Sequence, residues 1–312
     1  MDERIIRRAV VTGPTGAVGQ ALLRYLCAQG IDAYAVVRPE SPRAATIPRH
    51  EKIHIVQCDA AELARLPALL PDGADAFFHL AWAHTIGSGR NDMPSQILNI
   101  SHTIAACRAA AALGCKVFVG AGSQAEYGRV EGVLHPDTPC FPENGYGMAK
   151  LCAGQMSRAE CASLGVDHIW MRILSVYGPN DGKLTMIRSV ADQLLDGKCP
   201  ALTPGEQQWD YLYADDAAEG LYLAARRGKS GAVYPLGSGE AKPLRRYVEA
   251  LRDAIDPALP LGFGQVPYGE KQVMHLEADI RPLQNDTGFA PRVSFAEGIE
   301  KTVSAIKRER EN

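Results

Sequence analysis

The sequence lacks the charge and hydropathy patterns of nucleic-acid-binding and membrane proteins. Its 33 basic and 36 acidic residues leave a formal net charge of −3, without the basic excess that favours nucleic-acid binding. No apolar run approaches the length of a membrane span, and the first residues carry no apolar signal region. We therefore expect a cytoplasmic protein that binds neither nucleic acid nor membranes.

Paired cysteine spacings are also absent. The chain has eight cysteines, but none forms a Cys-x-x-Cys pair and most lie within apolar runs. Such cysteines are typical of buried, reduced thiols and not of a zinc site or a disulfide framework. The sequence therefore predicts no metal site.

A short apolar segment at residues 8–12 leads into a glycine-rich turn and then into a helical pattern. Gly13, Gly16 and Gly19 have the spacing Gly-x-x-Gly-x-x-Gly. Glycines allow the backbone to approach a pyrophosphate, and the amide groups at the start of a helix attract its negative charge. The turn therefore predicts a dinucleotide site, with cofactor contacts at Gly13, Thr15, Gly16, Ala17, Val18 and Gly19.

The second predicted strand, residues 32–38, ends in Arg38, and Arg43 follows. A site selective for NAD would offer a carboxylate at this point to the ribose hydroxyls. A guanidinium suits a 2′-phosphate instead. The sequence therefore favours NADP over NAD, although a solvated surface arginine would look the same.

Later strands end in further candidate cofactor contacts. Asp59 ends the third strand, where it could accept a hydrogen bond from an adenine amine or cap the next helix. His79, in the fourth strand, is expected to be a core histidine. The remaining expected contacts are Ala60, Leu80, Ala81, Trp82, Asn99 and Leu174.

A tyrosine and a lysine stand four residues apart in a predicted helix, and a serine ends the strand before it. Tyr146 and Lys150 therefore share one helix face. An ammonium beside a phenol lowers the pKa of the phenol from about 10 toward neutrality. Because residues 116–122 read as a buried strand, Ser123 lies at the edge where parallel sheets bind ligands. We expect these three residues to form a catalytic group.

The alternation of strands and helices predicts an α/β fold, a doubly wound parallel Rossmann sheet. This regular alternation ends after residue 175, which indicates a smaller C-terminal α/β lobe. We expect residues 1–175 to bind the dinucleotide, with residues 207–237 packing back onto this domain. Residues 176–206 and 238–312 would form the substrate lobe, with the substrate in the crevice between the two.

With these motifs in place, the chain resembles the extended short-chain dehydrogenase/reductase family, which includes nucleotide-sugar epimerases, dehydratases and ketoreductases. The resemblance covers essentially the whole chain. It implies that Tyr146 is the acid/base, that Lys150 lowers its pKa and holds the nicotinamide ribose, and that Ser123 orients the sugar oxygen. The motifs that carry it are Thr12-Gly13-x-x-Gly16-x-x-Gly19, Asp59, His79-Leu-Ala81, Asn99, Ser123 with Tyr127-Gly128, Tyr146-x-x-x-Lys150, Arg172 with Tyr177-Gly-Pro179, and Asp210-Tyr-Leu-Tyr-Ala-Asp-Asp216.

Two departures from the family pattern narrow the expected reaction. The similar 4,6-dehydratases carry an Asp-Glu pair after the serine, whereas this chain has Gln124-Ala125, and Glu126 comes one residue too late. Dehydration is therefore disfavoured. The epimerases usually carry a diphosphate-binding arginine where this chain has Trp209. The arginines that could replace it are Arg188, Arg245 and Arg281.

The combined motifs look most like 4-ketoreductases of nucleotide-linked 6-deoxysugars, such as the CDP-abequose and CDP-paratose synthases. The resemblance implies NADPH-dependent reduction of a 4-keto-6-deoxyhexose. The alternatives are an NAD-dependent nucleotide-sugar 4-epimerase and a non-catalytic cofactor-binding protein on the same fold. The family commonly forms homodimers through the Asn99 and Tyr146 helices. The expected substrate contacts are His84, Thr85, Gln124, Glu126, Asn180 and Trp209.

Overall fold

The structure is a computed structural model that describes residues 3–311 of the 312-residue chain. Strands and helices alternate over its first half. The helices are α1 (Ala17–Ala28), α2 (Leu66–Leu69), α3 (Met93–Ala112), α4 (Gly145–Leu164), α5 (Met186–Leu195), α6 (Ala214–Arg227), α7 (Leu244–Asp253), α8 (Arg281–Thr287) and α9 (Phe295–Glu311). The strands are β1 (Arg8–Thr12), β2 (Asp32–Val37), β3 (Ile53–Gln57), β4 (Ala76–His79), β5 (Val117–Ser123), β6 (Asp167–Ile173), β7 (Ser175–Tyr177), β8 (Ala201–Leu202), β9 (Gln208–Trp209), β10 (Tyr211–Tyr213), β11 (Ala232–Leu236), β12 (Lys242–Pro243), β13 (Gly262–Phe263) and β14 (His275–Leu276).

Seven of these strands form one parallel sheet in the order β3-β2-β1-β4-β5-β6-β11. The order reverses between β1 and β4, which is where doubly wound sheets bind their ligands. The prediction of a Rossmann sheet is confirmed.

Helices cover both faces of this sheet. The helices α1 and α6 pack together on one face, and α3 and α4 pack together on the other. Both faces of the central strands are therefore buried, and every residue of β4 and β5 is buried. This burial explains why these strands are continuous apolar runs in the sequence and do not alternate.

The second half of the chain divides its elements between the sheet and a smaller lobe. The strand β11 extends the sheet beside β6, and α6 contacts α1. The helices α5, α7 and α9 surround a separate apolar cluster that contains Tyr177, Val248 and Ile299. Where one domain ends and the other begins stays a prediction.

The described residues show neither a metal-binding cluster nor a membrane-spanning helix. Within residues 3–311, no group of three or more His, Cys, Asp or Glu side chains is arranged to hold a metal ion. No helix in that range combines the length and apolar character needed to cross a membrane.

Candidate active site

Three polar side chains meet where β5 ends. Ser123 is the last residue of β5, and Tyr146 and Lys150 lie in the first turns of α4. The Ser123 hydroxyl lies near the Tyr146 phenol and favours its ionised form. Asn144 caps α4 by accepting the backbone N–H of Gly147 at 2.9 Å, which fixes the start of the helix. The structure therefore brings together the three residues that the sequence predicts to be catalytic.

Lys150 is buried at the back of this group. Its Nζ donates a hydrogen bond to the carbonyl oxygen of Ala121 and lies 3.8 Å from the centroid of the Trp82 ring. The same Nζ is 5.9 Å from the centroid of the Tyr146 ring. Loss of solvation lowers the pKa of Lys150 to about 7, and the negative charge of Glu126 only partly opposes this.

The pKa of Tyr146 moves opposite to the sequence expectation. Burial raises the pKa of the phenol above its usual 10, and the charge of Glu126 adds to this rise. The Ser123 hydroxyl and the positive charge of Arg90 act in the lowering direction. The expected lowering by Lys150 is therefore wrong for this structure, because the ammonium is directed at a carbonyl and burial outweighs the favourable contacts.

Glu126 was expected to contact the substrate, and the structure corrects this. The residue has no exposed surface. Its carboxylate accepts the backbone N–H of Ser123 at 2.8 Å, Trp170 Nε1 at 3.0 Å and Arg172 Nε at 2.7 Å. All three donors lie inside the protein, so the carboxylate is directed away from a bound substrate. The Ser-x-x-Glu spacing of a capping box is the sequence signal that would have indicated this inward orientation.

The glycine-rich turn is closed on one side and open on the other. Gly13 has a φ of +69°, and a Cβ there would lie 2.7 Å from the backbone nitrogen of Ala81. A Cβ on Gly19 would lie 2.3 Å from the carbonyl oxygen of Gly13. At Gly16, however, the nearest such atom is 3.7 Å away, and no side chain caps α1. An open backbone beside an uncapped helix start fits the pyrophosphate of a dinucleotide.

We expect Gly19→Ala to lower the free energy of unfolding by about 1–3 kcal/mol, because the added methyl group collides with backbone atoms. Urea unfolding of the purified variant measures this. Gly16→Ala is the matched control, since its φ of −79° suits alanine and the surrounding space is open. Equal stability of the Gly19→Ala variant and the wild type would contradict the close packing of this turn.

The residues expected to recognise the adenosine end lie around the same turn. Arg38 is exposed just after β2. Arg43 reaches back, and its Nη2 donates to the carbonyl oxygen of Thr15 at 2.6 Å. The Asp59 side chain accepts the backbone N–H of Ala61 at 2.9 Å, so it caps the turn that follows β3, which was the alternative to an adenine contact.

The loop after β4 is held in place by two buried amide side chains. Asn99 donates to the carbonyl oxygen of Ala83 and accepts its N–H, both at 3.0 Å. Gln96 accepts Trp82 Nε1 at 2.9 Å. Asn99 therefore shapes the loop, and a direct cofactor contact stays a prediction. The other predicted cofactor contacts lie at the ends of several elements. Ala17 and Val18 are partly exposed at the start of α1, and Ala60 is partly exposed after β3. Leu80 and Ala81 are partly exposed after β4, and Leu174 is buried between β6 and β7.

With this geometry established, residues 9–237 match the model of the NAD dependent epimerase/dehydratase family. The chain belongs to this family. The membership confirms the resemblance to extended short-chain dehydrogenases/reductases of the nucleotide-sugar group.

Several epimerases and dehydratases are similar to this chain over nearly its whole length. The dTDP-glucose 4,6-dehydratase of Streptomyces griseus is 25% identical, covering 96% of this chain and 94% of the relative. The UDP-glucose 4-epimerase of Azospirillum brasilense is 25% identical, with 96% and 92% covered. The dTDP-glucose 4,6-dehydratase of Streptomyces venezuelae, solved with NAD bound, is 24% identical over 97% of this chain and 98% of that chain, with a TM-score of 0.85.

The expected substrate contacts of this family member lie on several loops. His84 and Thr85 are exposed after β4, and Gln124 is partly exposed after β5. Asn180 is exposed, with its side-chain amide donating to Gln20 Oε1 at 2.9 Å. Asn180 therefore contacts α1, and a substrate contact there stays a prediction.

Trp209 occupies the position where epimerases usually carry an arginine, and its Nε1 donates to Ser175 Oγ at 2.8 Å. Two of the three arginines suggested as replacements are already paired with carboxylates: Arg188 with Asp192 and Glu309, and Arg281 with Asp279. Arg245 instead donates to the carbonyl oxygen of Pro204, and no carboxylate pairs with it among residues 3–311. Of these three arginines, Arg245 is thus the one without a carboxylate partner among residues 3–311, and a diphosphate contact there stays a prediction.

Proposed function

We propose that this member of the epimerase/dehydratase family is an oxidoreductase that acts on a nucleotide-linked sugar. The observation that carries the proposal is the meeting of Ser123, Tyr146 and Lys150 at the edge of β5, on the sheet whose β1 leads into the open glycine-rich turn. In this proposal, a proton-transfer group and a dinucleotide cradle share the carboxyl edge of one sheet.

The protein's part in such a reaction is position and a proton. A bound nicotinamide dinucleotide would supply hydride transfer. Tyr146 would exchange a proton with the sugar oxygen, and the Ser123 hydroxyl, which lies near that phenol, would orient the same oxygen. Lys150 would contact the ribose of the cofactor.

Within this class we propose first the NADPH-dependent reduction of a 4-keto-6-deoxyhexose. Gln124 and Ala125 offer no carboxylate to expel water, and Glu126 is engaged inside the protein. Arg43 reaches the glycine-rich turn and Arg38 is exposed at the end of β2, and two such cations would favour a 2′-phosphate.

The second candidate is an NAD-dependent 4-epimerase. The similarity to the Azospirillum brasilense epimerase and the NAD bound to the Streptomyces venezuelae dehydratase favour it. Such an enzyme would return the hydride to the same sugar and show no net redox change.

The two candidates differ in cofactor consumption, which absorbance of the reduced cofactor measures. We expect the purified protein to oxidise one NADPH per sugar with a CDP-, dTDP- or GDP-linked 4-keto-6-deoxyhexose, and to prefer NADPH over NADH. Tightly bound NAD(H), together with interconversion of UDP-sugars without net redox, would overturn the reductase and establish the epimerase.

We also propose a homodimer through α3 and α4. Both helices expose large apolar side chains to solvent, among them Ile97 (62% exposed), Leu98 (56%) and Met148 (50%). Covering such surface stabilises association. Light scattering of the protein in solution measures the mass of the assembly, and a monomer at micromolar concentration would contradict this arrangement.

A further inference from the structure

A cation outside the Ser-Tyr-Lys group stacks on the tyrosine of the site. Arg90 lies in the short helical turn Gly87–Asn91, which follows the β4 loop. Its guanidinium carbon is 4.7 Å from the centroid of the Tyr146 ring. A guanidinium at this distance over an aromatic face is attracted by the negative charge of the ring face. The attraction grows when the phenol becomes a phenolate.

The turn that carries Arg90 is fixed to the site from two sides. Asn91 Oδ1 accepts the backbone N–H of Gly145, the first residue of α4, at 2.9 Å. The buried amide of Gln96 donates to the carbonyl oxygens of His84 and Gly89 at 3.1 and 3.2 Å. These hydrogen bonds fix the backbone of the turn, and the turn places the Arg90 side chain over the ring.

Arg90 has no carboxylate partner among residues 3–311, and the Tyr146 ring is the group that it contacts there. Arg172, in contrast, is paired with the Glu126 carboxylate. A guanidinium stays charged at every working pH. Lys150, in contrast, is buried and donates to the Ala121 carbonyl. Burial disfavours the charged form of its amine.

The charged and hydrogen-bonding groups around Tyr146 come from several elements of the fold. Among residues 3–311, the Arg90 guanidinium is the permanently charged cation over the ring face, 4.7 Å from the centroid, whereas the Lys150 ammonium is 5.9 Å away. The groups are the Ser123 hydroxyl at the end of β5, the Glu126 carboxylate in the turn after β5, the Trp82 ring and the Arg90 guanidinium in the segments after β4, and Lys150 on α4 itself.

We propose that Arg90 is a positioning residue for Tyr146, whose guanidinium holds the ring beside Ser123 and stabilises the phenolate through the ring face. This inference rests on the proposed proton-transfer role of Tyr146. It adds a fourth side chain to the site and assigns the loop after β4 an electrostatic role in the reaction. The phenolate is then stabilised by the Arg90 guanidinium over the ring face, in addition to the nearby Ser123 hydroxyl.

The test is a titration of the residue-146 phenol that needs no substrate. Difluorotyrosine is incorporated at position 146 of the full chain, because fluorination brings the phenol into an accessible pH range, and ¹⁹F NMR follows its ionisation. We expect Arg90→Met to raise the titration midpoint by about 0.5 to 1.5 pH units relative to the parent. Arg90→Lys, which keeps the charge, is expected to restore most of the shift.

An unchanged or lower midpoint in the Arg90→Met variant overturns the inference. Thermal unfolding of both variants establishes that they remain folded. Because the titration does not require turnover, it stands or fails independently of the reductase and epimerase assays. Where a substrate is found, the pH profile of kcat/KM is expected to move in the same direction as the ¹⁹F midpoint in Arg90→Met and to return in Arg90→Lys.

Discussion

The Tyr146→Phe variant is expected to lose about 10²- to 10⁴-fold in kcat while it stays folded and keeps its affinity for the cofactor. The substitution removes a single oxygen. The ring keeps its contacts with Trp82 and Arg90, whose ring centroid and guanidinium carbon lie 6.2 and 4.7 Å from the Tyr146 ring centroid. The lost group is the proposed proton donor, which lies near the Ser123 hydroxyl.

Steady-state kinetics with the active nucleotide sugar measure this loss, and fluorescence titration measures cofactor binding. Tyr34→Phe is the matched control, since Tyr34 lies on β2 and its hydroxyl makes no hydrogen bond within residues 3–311. The control is expected to retain wild-type turnover. Undiminished turnover in Tyr146→Phe would remove the proton-transfer role from the tyrosine and revive the hypothesis of a non-catalytic cofactor-binding protein.

The second large effect is expected at Glu126. We expect Glu126→Ala to lower the free energy of unfolding by about 3–5 kcal/mol, because removing one partner leaves a buried charge uncompensated. Arg172 is only 4% exposed and would lose its ion pair at 2.7 Å. Trp170 Nε1 and the backbone N–H of Ser123 would also lose their acceptor.

Urea unfolding measures the change, and two further variants define its cause. Glu143→Ala breaks an exposed pair with Arg129 and is expected to shift the unfolding midpoint little. The double variant Glu126→Leu with Arg172→Leu removes both buried charges and is expected to regain much of the lost stability. A Glu126→Ala variant as stable as the wild type would mean that the buried pair is not maintained in solution.

The position of Glu126 also bears on the chemistry, because its carboxylate fixes the backbone of Ser123. The turn after β5 is a capping box, in which the Ser123 hydroxyl accepts the N–H of Ala125 at 3.2 Å and Glu126 accepts the N–H of Ser123 at 2.8 Å. The dehydratase pattern places its carboxylates at the two residues before Glu126. The Glu126 carboxylate therefore fixes the backbone of Ser123 from inside the protein and is not exposed to a substrate.

Much of the fold could be predicted because its signals are local. The apolar runs of β4 and β5 reflect burial on both faces, and the alternation with helices implies parallel crossovers. The strand β11 joins the sheet by pairing with β6, some sixty residues earlier in the chain. Local composition indicates such a distant pairing only weakly.

The sequence alone determined the parts of this site that depend on spacing and backbone conformation. Tyr146 and Lys150 share a helix face because they are four residues apart, and Gly13 and Gly19 are required by the closeness of the turn. Only the tertiary structure decided the electrostatics. It raises the pKa of Tyr146 by burial, brings Arg90 onto its ring and turns Glu126 inward to Arg172. Desolvation and ion pairing sum over groups far apart in the chain, so no local pattern contains them.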